Sequence, residues 1–129
     1  MARTSLPRPT DAELEILRVL WERGACTVRE VQEAIHATKP TGYTTVLKLM
    51  QIMTDKGLVR RDERQRAHVY EAQLAQEQTQ QQLVSDLLER VFNGSASNLV
   101  MQALANKKTS ASELSEIRKR LDEVERGRR

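Results

Sequence analysis

Apolar residues recur at helical spacing over most of this chain, and the breaks in that rhythm mark its elements. Leu14, Leu17 and Trp21, with Leu20 beside them, fall at i, i+3 and i+7 and predict a first helix that buries this stripe. Thr10 followed by Glu13 is a capping box, in which each side chain satisfies the other residue's backbone N–H, so the helix opens after Thr10 and stops at Gly24. Thr27 and Glu30 repeat the signature and open a short helix to about Ala37, with Val31, Ala34 and Ile35 inward. Lys39-Pro40-Thr41-Gly42 reads as a turn, and Ala25–Cys26 as a plain link. A third helix is predicted from Tyr43 to Lys56, closed by Gly57. Leu58–Asp62 and Ala67–Ala72 are strand candidates joined by the turn Glu63–Arg66.

Beyond residue 73 the rhythm returns more weakly. Leu74–Phe92 predicts a longer helix with a glutamine-rich start, on which Leu83, Val84, Leu87, Leu88 and Val91 restore an apolar stripe. Asn93-Gly94-Ser95 breaks it, Ala96–Ala105 forms a further helix around Leu99, Val100, Ala103 and Leu104, and Ser110 with Glu113 makes a third capping box. The helix it opens carries Leu114, Ile117, Leu121 and Val124 on one face. Such short, one-striped helices make no large core alone. Pairing with a second copy is favoured over a monomeric tail, with Leu83, Leu87, Val91, Leu99, Leu104, Leu114, Ile117 and Leu121 as the dimerisation residues.

Three helices followed by a hairpin is the order of a winged helix-turn-helix, whose third helix enters the major groove while the wing lies along the backbone. The expected fold is therefore mainly α with a small β-hairpin: a winged helix-turn-helix, DNA-binding domain over residues 1–73, followed by a helical dimerisation domain over residues 74–129. At 100° per residue, Val46, Leu49, Met50 and Met53 point in one direction and form a core stripe, while Thr44, Lys48, Gln51 and Asp55 lie opposite. Tyr43 and Thr45 flank the helix start, and Leu47 sits at the edge of the outer stripe, in reach of a thymine methyl. Tyr43, Thr44, Thr45, Leu47, Lys48 and Gln51 are thus candidate DNA contacts, reading base edges or holding phosphates.

Charge sharpens this picture only locally. Residues 1–72 carry 12 Lys and Arg against 10 Asp and Glu, and the remainder 9 against 8, so bulk charge locates nothing. Arg60, Arg61, Arg64 and Arg66, however, crowd the predicted wing beside the same helix face, where they would neutralise phosphates. His68 is placed with Arg66 and Tyr70 on one side of its strand, either touching phosphate or packing beside Tyr70. Met1–Pro9, with Pro7 and Pro9, reads as an extended arm, favoured as a disordered tail, whose Arg3 and Arg8 could otherwise reach a DNA backbone or minor groove.

Composition excludes several classes. With one Trp, two Tyr and one Phe, stacking on several rings is not how this chain would hold a single strand. Its single cysteine, Cys26, excludes an internal disulfide and a multi-cysteine zinc site, and reads as buried. His36 has no second ligand at metal spacing and reads as a polar surface residue; Trp21, Met50 and Met53 read as core. No nucleophile–base pair, phosphate loop or carboxylate pair is recognisable, so neither an enzyme nor a cofactor is expected. Met1–Asp11 lacks an apolar signal region and no span fits the chain, giving an expected cytoplasmic location without membrane insertion. The competing class is a winged-helix adaptor that binds another protein, which Asp55 and Glu63 keep open.

Four segments, Pro9–Ile35, Tyr43–Ala72, Phe92–Leu104 and Ser110–Leu121, together resemble the penicillinase and methicillin-resistance repressor family. The specific part lies in Glu13 through Trp21, Thr27-Val28-Arg29-Glu30-Val31, Thr45-Val46 and Lys56-Gly57-Leu58-Val59. The resemblance implies a homodimeric winged-helix repressor on a palindromic double-stranded DNA operator, with the helices after residue 74 as dimer interface. It also implies a membrane sensor protease as partner, cutting an Asn-Phe bond; here the matching place reads Gln102-Ala103. Ile52 stands where the family pattern usually has a basic residue, and the C-terminal cysteine cluster of copper-responsive relatives is missing.

Overall fold

A computed structural model describes residues 7–106 and 108–128. Arg3 of the expected arm lies outside them. The described residues form α1 (Asp11–Arg23), β1 (Cys26–Thr27), α2 (Val28–His36), α3 (Tyr43–Lys56), β2 (Val59–Asp62), β3 (Val69–Ala72), α4 (Gln76–Arg90), α5 (Ala96–Asn106) and α6 (Ala111–Arg126). They divide into two compact units that part between Val84 and Ser85, so α4 contributes to both. The first turns of α4 thus belong to the first unit, where Thr79 is buried. No helix of the described residues is long and apolar enough to cross a membrane.

The first unit is built on two reciprocal capping boxes. Thr10 and Glu13 exchange hydrogen bonds at the start of α1 (2.9 and 3.2 Å), and Thr27 and Glu30 do the same for α2 (2.8 and 3.2 Å). Gly57 ends α3 in the left-handed region (φ 81°), which lets Leu58 N–H reach back to the Met53 carbonyl at 2.9 Å and turns the chain directly into β2. The core gathers Ile16, Leu17 and Leu20 of α1, Val28, Val31 and Ile35 of α2, Val46, Met50 and Met53 of α3, and Cys26, Leu58, Val59 and Tyr70 around the sheet.

Three details correct the sequence reading. The buried stripe of α1 is Glu13, Ile16, Leu17 and Leu20, while Leu14 and Trp21 are only half-buried. Glu13 turns inward because Lys56 reaches it from the end of α3, Nζ to Oε1 at 2.7 Å, and this brings Ile16 in. The sheet has three strands rather than two: Cys26 and Thr27 pair antiparallel with Tyr70 and Val69, giving the order β1-β3-β2. The strands themselves are shorter than expected, so that His68 precedes β3 instead of lying within it.

The second unit begins in the rear of α4. Asn93 and Gly94 both take positive φ (50° and 82°) to turn into α5, and the Ser95 hydroxyl accepts from the Asn98 N–H at 3.1 Å. Ser110 caps α6 by accepting from Glu113 N–H at 3.0 Å, but only this half of the expected third box is formed. Neither α5 nor α6 has a single buried residue.

Burial pushes the Glu13 carboxyl up, but the Lys56 hydrogen bond, the Thr10 N–H and the Lys56 charge together hold it below its ordinary value of 4.5. A carboxylate lowered on folding contributes stability that is present above its unfolded pKa and lost as pH falls through the folded one. Glu13→Ala should therefore cost about 2 kcal/mol at pH 7, less than breaking a fully buried pair because Lys56 is a third exposed and rehydrates. Thermal melts should show the difference from the native chain shrinking as pH drops below 4.5.

Candidate nucleic-acid interface

α3 has two chemically distinct sides. Val46, Met50 and Met53 are fully buried, and Leu49 and Leu47 pack half-buried against the same core. Thr44, Thr45, Lys48 and Gln51 are exposed on the outside, and Tyr43 opens the helix 42% exposed. Polar side chains able to donate or accept therefore project from the N-terminal half of a helix that the core holds in one rotation. Ile52 is exposed too, an apolar side chain on the outward surface.

The turn before α3 is braced from α2. The Gln32 amide donates to the Thr41 carbonyl at 2.9 Å, and Thr41 N–H donates to His36 Nδ1 at 3.0 Å. His36 is exposed as expected, but the brace itself was invisible in its spacing. Residues on both sides of the brace meet in a groove of about 410 Å³ lined by Arg29, Tyr43, Leu47, Arg66, His68 and Tyr70, among others. Four candidate residues, Tyr43, Leu47, Arg66 and His68, are thus brought together. His68 is exposed and precedes β3, Tyr70 is buried within it, and both line this groove.

The other wing arginines are spoken for. Arg60 sits opposite Glu71 in the ladder and pairs with it. Arg61 holds Glu63 at 3.0 Å, and the Tyr70 hydroxyl, followed by Glu63, raises its guanidinium pKa. Arg64 makes a two-pronged pair with Asp62 (Nε at 3.0 Å, Nη2 at 2.7 Å), supported by its own N–H; these bonds hold Asp62 down at about 2. Among the described residues, no carboxylate pairs with Arg66, Lys48 or Arg29. Sequence reasoning passed over Arg29, whose guanidinium lies over the Tyr43 ring, 5.3 Å from its centroid. Only its place near the start of the second helix was a usable signal.

The dimerisation candidates are placed less tightly. Leu83, Leu99, Leu104, Leu114 and Ile117 are half-buried, and Leu87, Val91 and Leu121 are exposed at 45%, 65% and 59%. Leu87, Val91 and Leu99 line an open groove of about 630 Å³ with Phe92, Gln102 and Ala103.

A helix-turn-helix followed by a β-wing and sealed by a third short strand is a winged helix. A solution structure of the DNA-binding domain of the repressor BlaI shares that fold, with TM-score 0.51 and 23% identity, covering 57% of this chain and 90% of that one. So does Bacillus licheniformis BlaI in its monomeric form in complex with the blaP half-operator, with TM-score 0.50, 23% identity and 57% and 89% coverage. The chain belongs to the penicillinase repressor family, whose model matches residues 9–123. It is 25% identical over 118 residues to the penicillinase repressor of Bacillus licheniformis, covering 92% of each chain. With the transcriptional regulator BlaI of Mycobacterium tuberculosis it shares 29% identity over 123 residues, 95% of this chain and 88% of that one.

The two-sided helix makes a sharp demand on single substitutions. Lys48→Ala should change stability by no more than about 0.5 kcal/mol, whereas Val46→Asp places a lone charge in a fully buried position and should abolish cooperative melting. Circular dichroism melts of the two variants check the facing of α3.

Proposed function

We propose that this chain is a sequence-specific transcriptional repressor that binds a palindromic operator as a homodimer. The observation that carries the reading is the exposed polar row Thr44, Thr45, Lys48 and Gln51 on a helix fixed by its buried side, with the uncommitted cation Arg66 beside it. In a major groove, Lys48 donates to guanine O6 and N7, the threonines serve either polarity, Gln51 suits adenine, and Leu47 meets a thymine methyl. Arg60, Arg61, Arg64, Arg66 and His68 face phosphates, which position the domain without reading sequence. Of these, Arg66 contributes most, because Arg60, Arg61 and Arg64 must first give up a carboxylate.

The division of labour follows the two expected domains. Residues 1–73 bind DNA, and residues 74–129 pair two copies. The apolar residues of α5 and α6 find no buried place within one chain, which supports their closure against a second. Gln102 and Ala103 are exposed on α5, and a signal-dependent protease cutting there would release α6 from this surface. Losing the pair turns one two-site event into two weak ones, so repression ends without change at α3.

Binding to the chain's own upstream DNA, titrated over several salt concentrations, tests the function. A specific shift whose log–log salt slope is negative is expected; salt-independent or sequence-indifferent behaviour favours a protein-binding adaptor instead. Lys48→Ala should cost about 1–3 kcal/mol on the operator and less elsewhere, while Arg66→Ala should weaken all sequences alike and flatten the slope by about one unit.

Light scattering at micromolar concentration tests the assembly. The full chain should have the mass of a dimer, and Leu87→Asp, Leu121→Asp or a chain ending at Gln102 should have that of a monomer. A monomeric full chain contradicts the paired reading.

A further inference from the structure

We infer that Arg29 is a phosphate-binding residue of the interface, and that Tyr43 serves as its platform rather than touching DNA independently. The inference rests on the DNA-binding reading above and adds to it a residue outside the third helix and the wing. Arg29 lies in the first turn of α2 and Tyr43 is the first residue of α3, and the braced turn between those helices brings them together. The guanidinium stands 5.3 Å from the ring centroid.

The stack uses one part of the guanidinium and leaves the other free. An arginine binds an aromatic ring through its face and an anion through its edge, where its five N–H donors lie. Contact with Tyr43 therefore confines a long side chain without consuming its donors, and no carboxylate competes for them among the described residues. This is the reverse of Arg60, Arg61 and Arg64, each of which is occupied by a neighbouring acid. Across the same groove stand Arg66 and His68 of the wing, over Val28, Leu47 and Tyr70. A groove with unneutralised cations from two separate elements suits a phosphodiester strand passing between the recognition helix and the wing. With its ring committed to the guanidinium, Tyr43 acts on DNA through Arg29.

The test is quantitative binding to the operator duplex and to an unrelated duplex, each over a salt series, for the full-length native chain and its variants. Arg29→Ala should weaken both duplexes by similar factors and reduce the salt slope by about one unit. Arg29→Lys should keep the slope while losing part of the affinity, because a lysine restores charge but not the planar stack. Tyr43→Phe should behave as the native chain. Tyr43→Ala should weaken binding in the native background and add nothing in the Arg29→Ala background, since both changes remove one device. An unchanged slope and affinity in Arg29→Ala overturns the inference, as does a Tyr43→Ala loss that adds in full to that of Arg29→Ala. Melts accompany every variant; if Tyr43→Ala loses its fold, the slope of the solvent-exposed Arg29→Ala decides alone. A native chain that binds no DNA overturns the DNA-binding reading itself, and this inference with it.

Discussion

One carboxylate oxygen fastens the first unit. Glu13 Oε1 accepts from Thr10 N–H at the start of α1 and from Lys56 Nζ at the end of α3. Two helix termini distant in sequence are thereby joined at a buried atom. A carboxylate left alone there would be strongly unfavourable, so arrangements that separate α1 from the end of α3 are penalised. With Met53 and Met50 seated beside Ile16, Leu17 and Leu20, α3 has one rotation available to it. Turning it by a single residue, 100°, would carry polar side chains into the core. The outward row that defines the candidate interface is therefore a consequence of what Glu13 and the core hold inside.

The wing is positioned by a different device. Two residues of β1 close the sheet edge of β3, and the Trp21 indole N–H donates to the Leu74 carbonyl at 3.0 Å just past the hairpin. The strand pairs are thus clamped from the α1 side at both the start and the exit of the sheet. Gln73 N–H returns to the Leu58 carbonyl at 2.9 Å and closes the base of the hairpin. The loop 63–68 extends from a base that is held on every side, which fixes where Arg66 and His68 emerge even though their own side chains are exposed.

What was legible in the sequence follows from the range of each interaction. Capping boxes, the Gly57 stop and the α3 stripe involve residues within a few positions of one another, so composition and spacing reveal them. Two-residue β1 has no periodicity of its own and exists only through partners at Val69 and Tyr70. The inward turn of Glu13 depends on Lys56, 43 positions away, and an isolated helix pattern assigns a carboxylate to the surface. The crowd of wing arginines was visible, but not which of them the neighbouring acids occupy. That outcome depends on cross-strand register, as for Arg60 and Glu71, and on local chain reversal, as for Arg64 and Asp62. Arg29 and Tyr43 meet only through the geometry of the braced turn, so nothing local signals their contact.

The uneven state of those cations bears on why such a chain would work in pairs. Four wing arginines stand with Asp62, Glu63 and Glu71, and three of the four are internally neutralised. On the DNA-binding reading, the attraction of one unit for phosphate then rests chiefly on Arg66 and Arg29. Each phosphate neutralised releases about one counterion, so few contacts mean weak binding by a single domain. Tight and selective occupancy requires linking two such domains, because the second then binds at the effective concentration set by the link. The helices past residue 84 offer apolar side chains for that link and keep none of those on α5 and α6 buried within the chain. On the proposed reading, weak individual contacts and an unfilled apolar surface are therefore two parts of one arrangement: occupancy of the DNA becomes controllable through pairing, without any change in the residues proposed to read the bases.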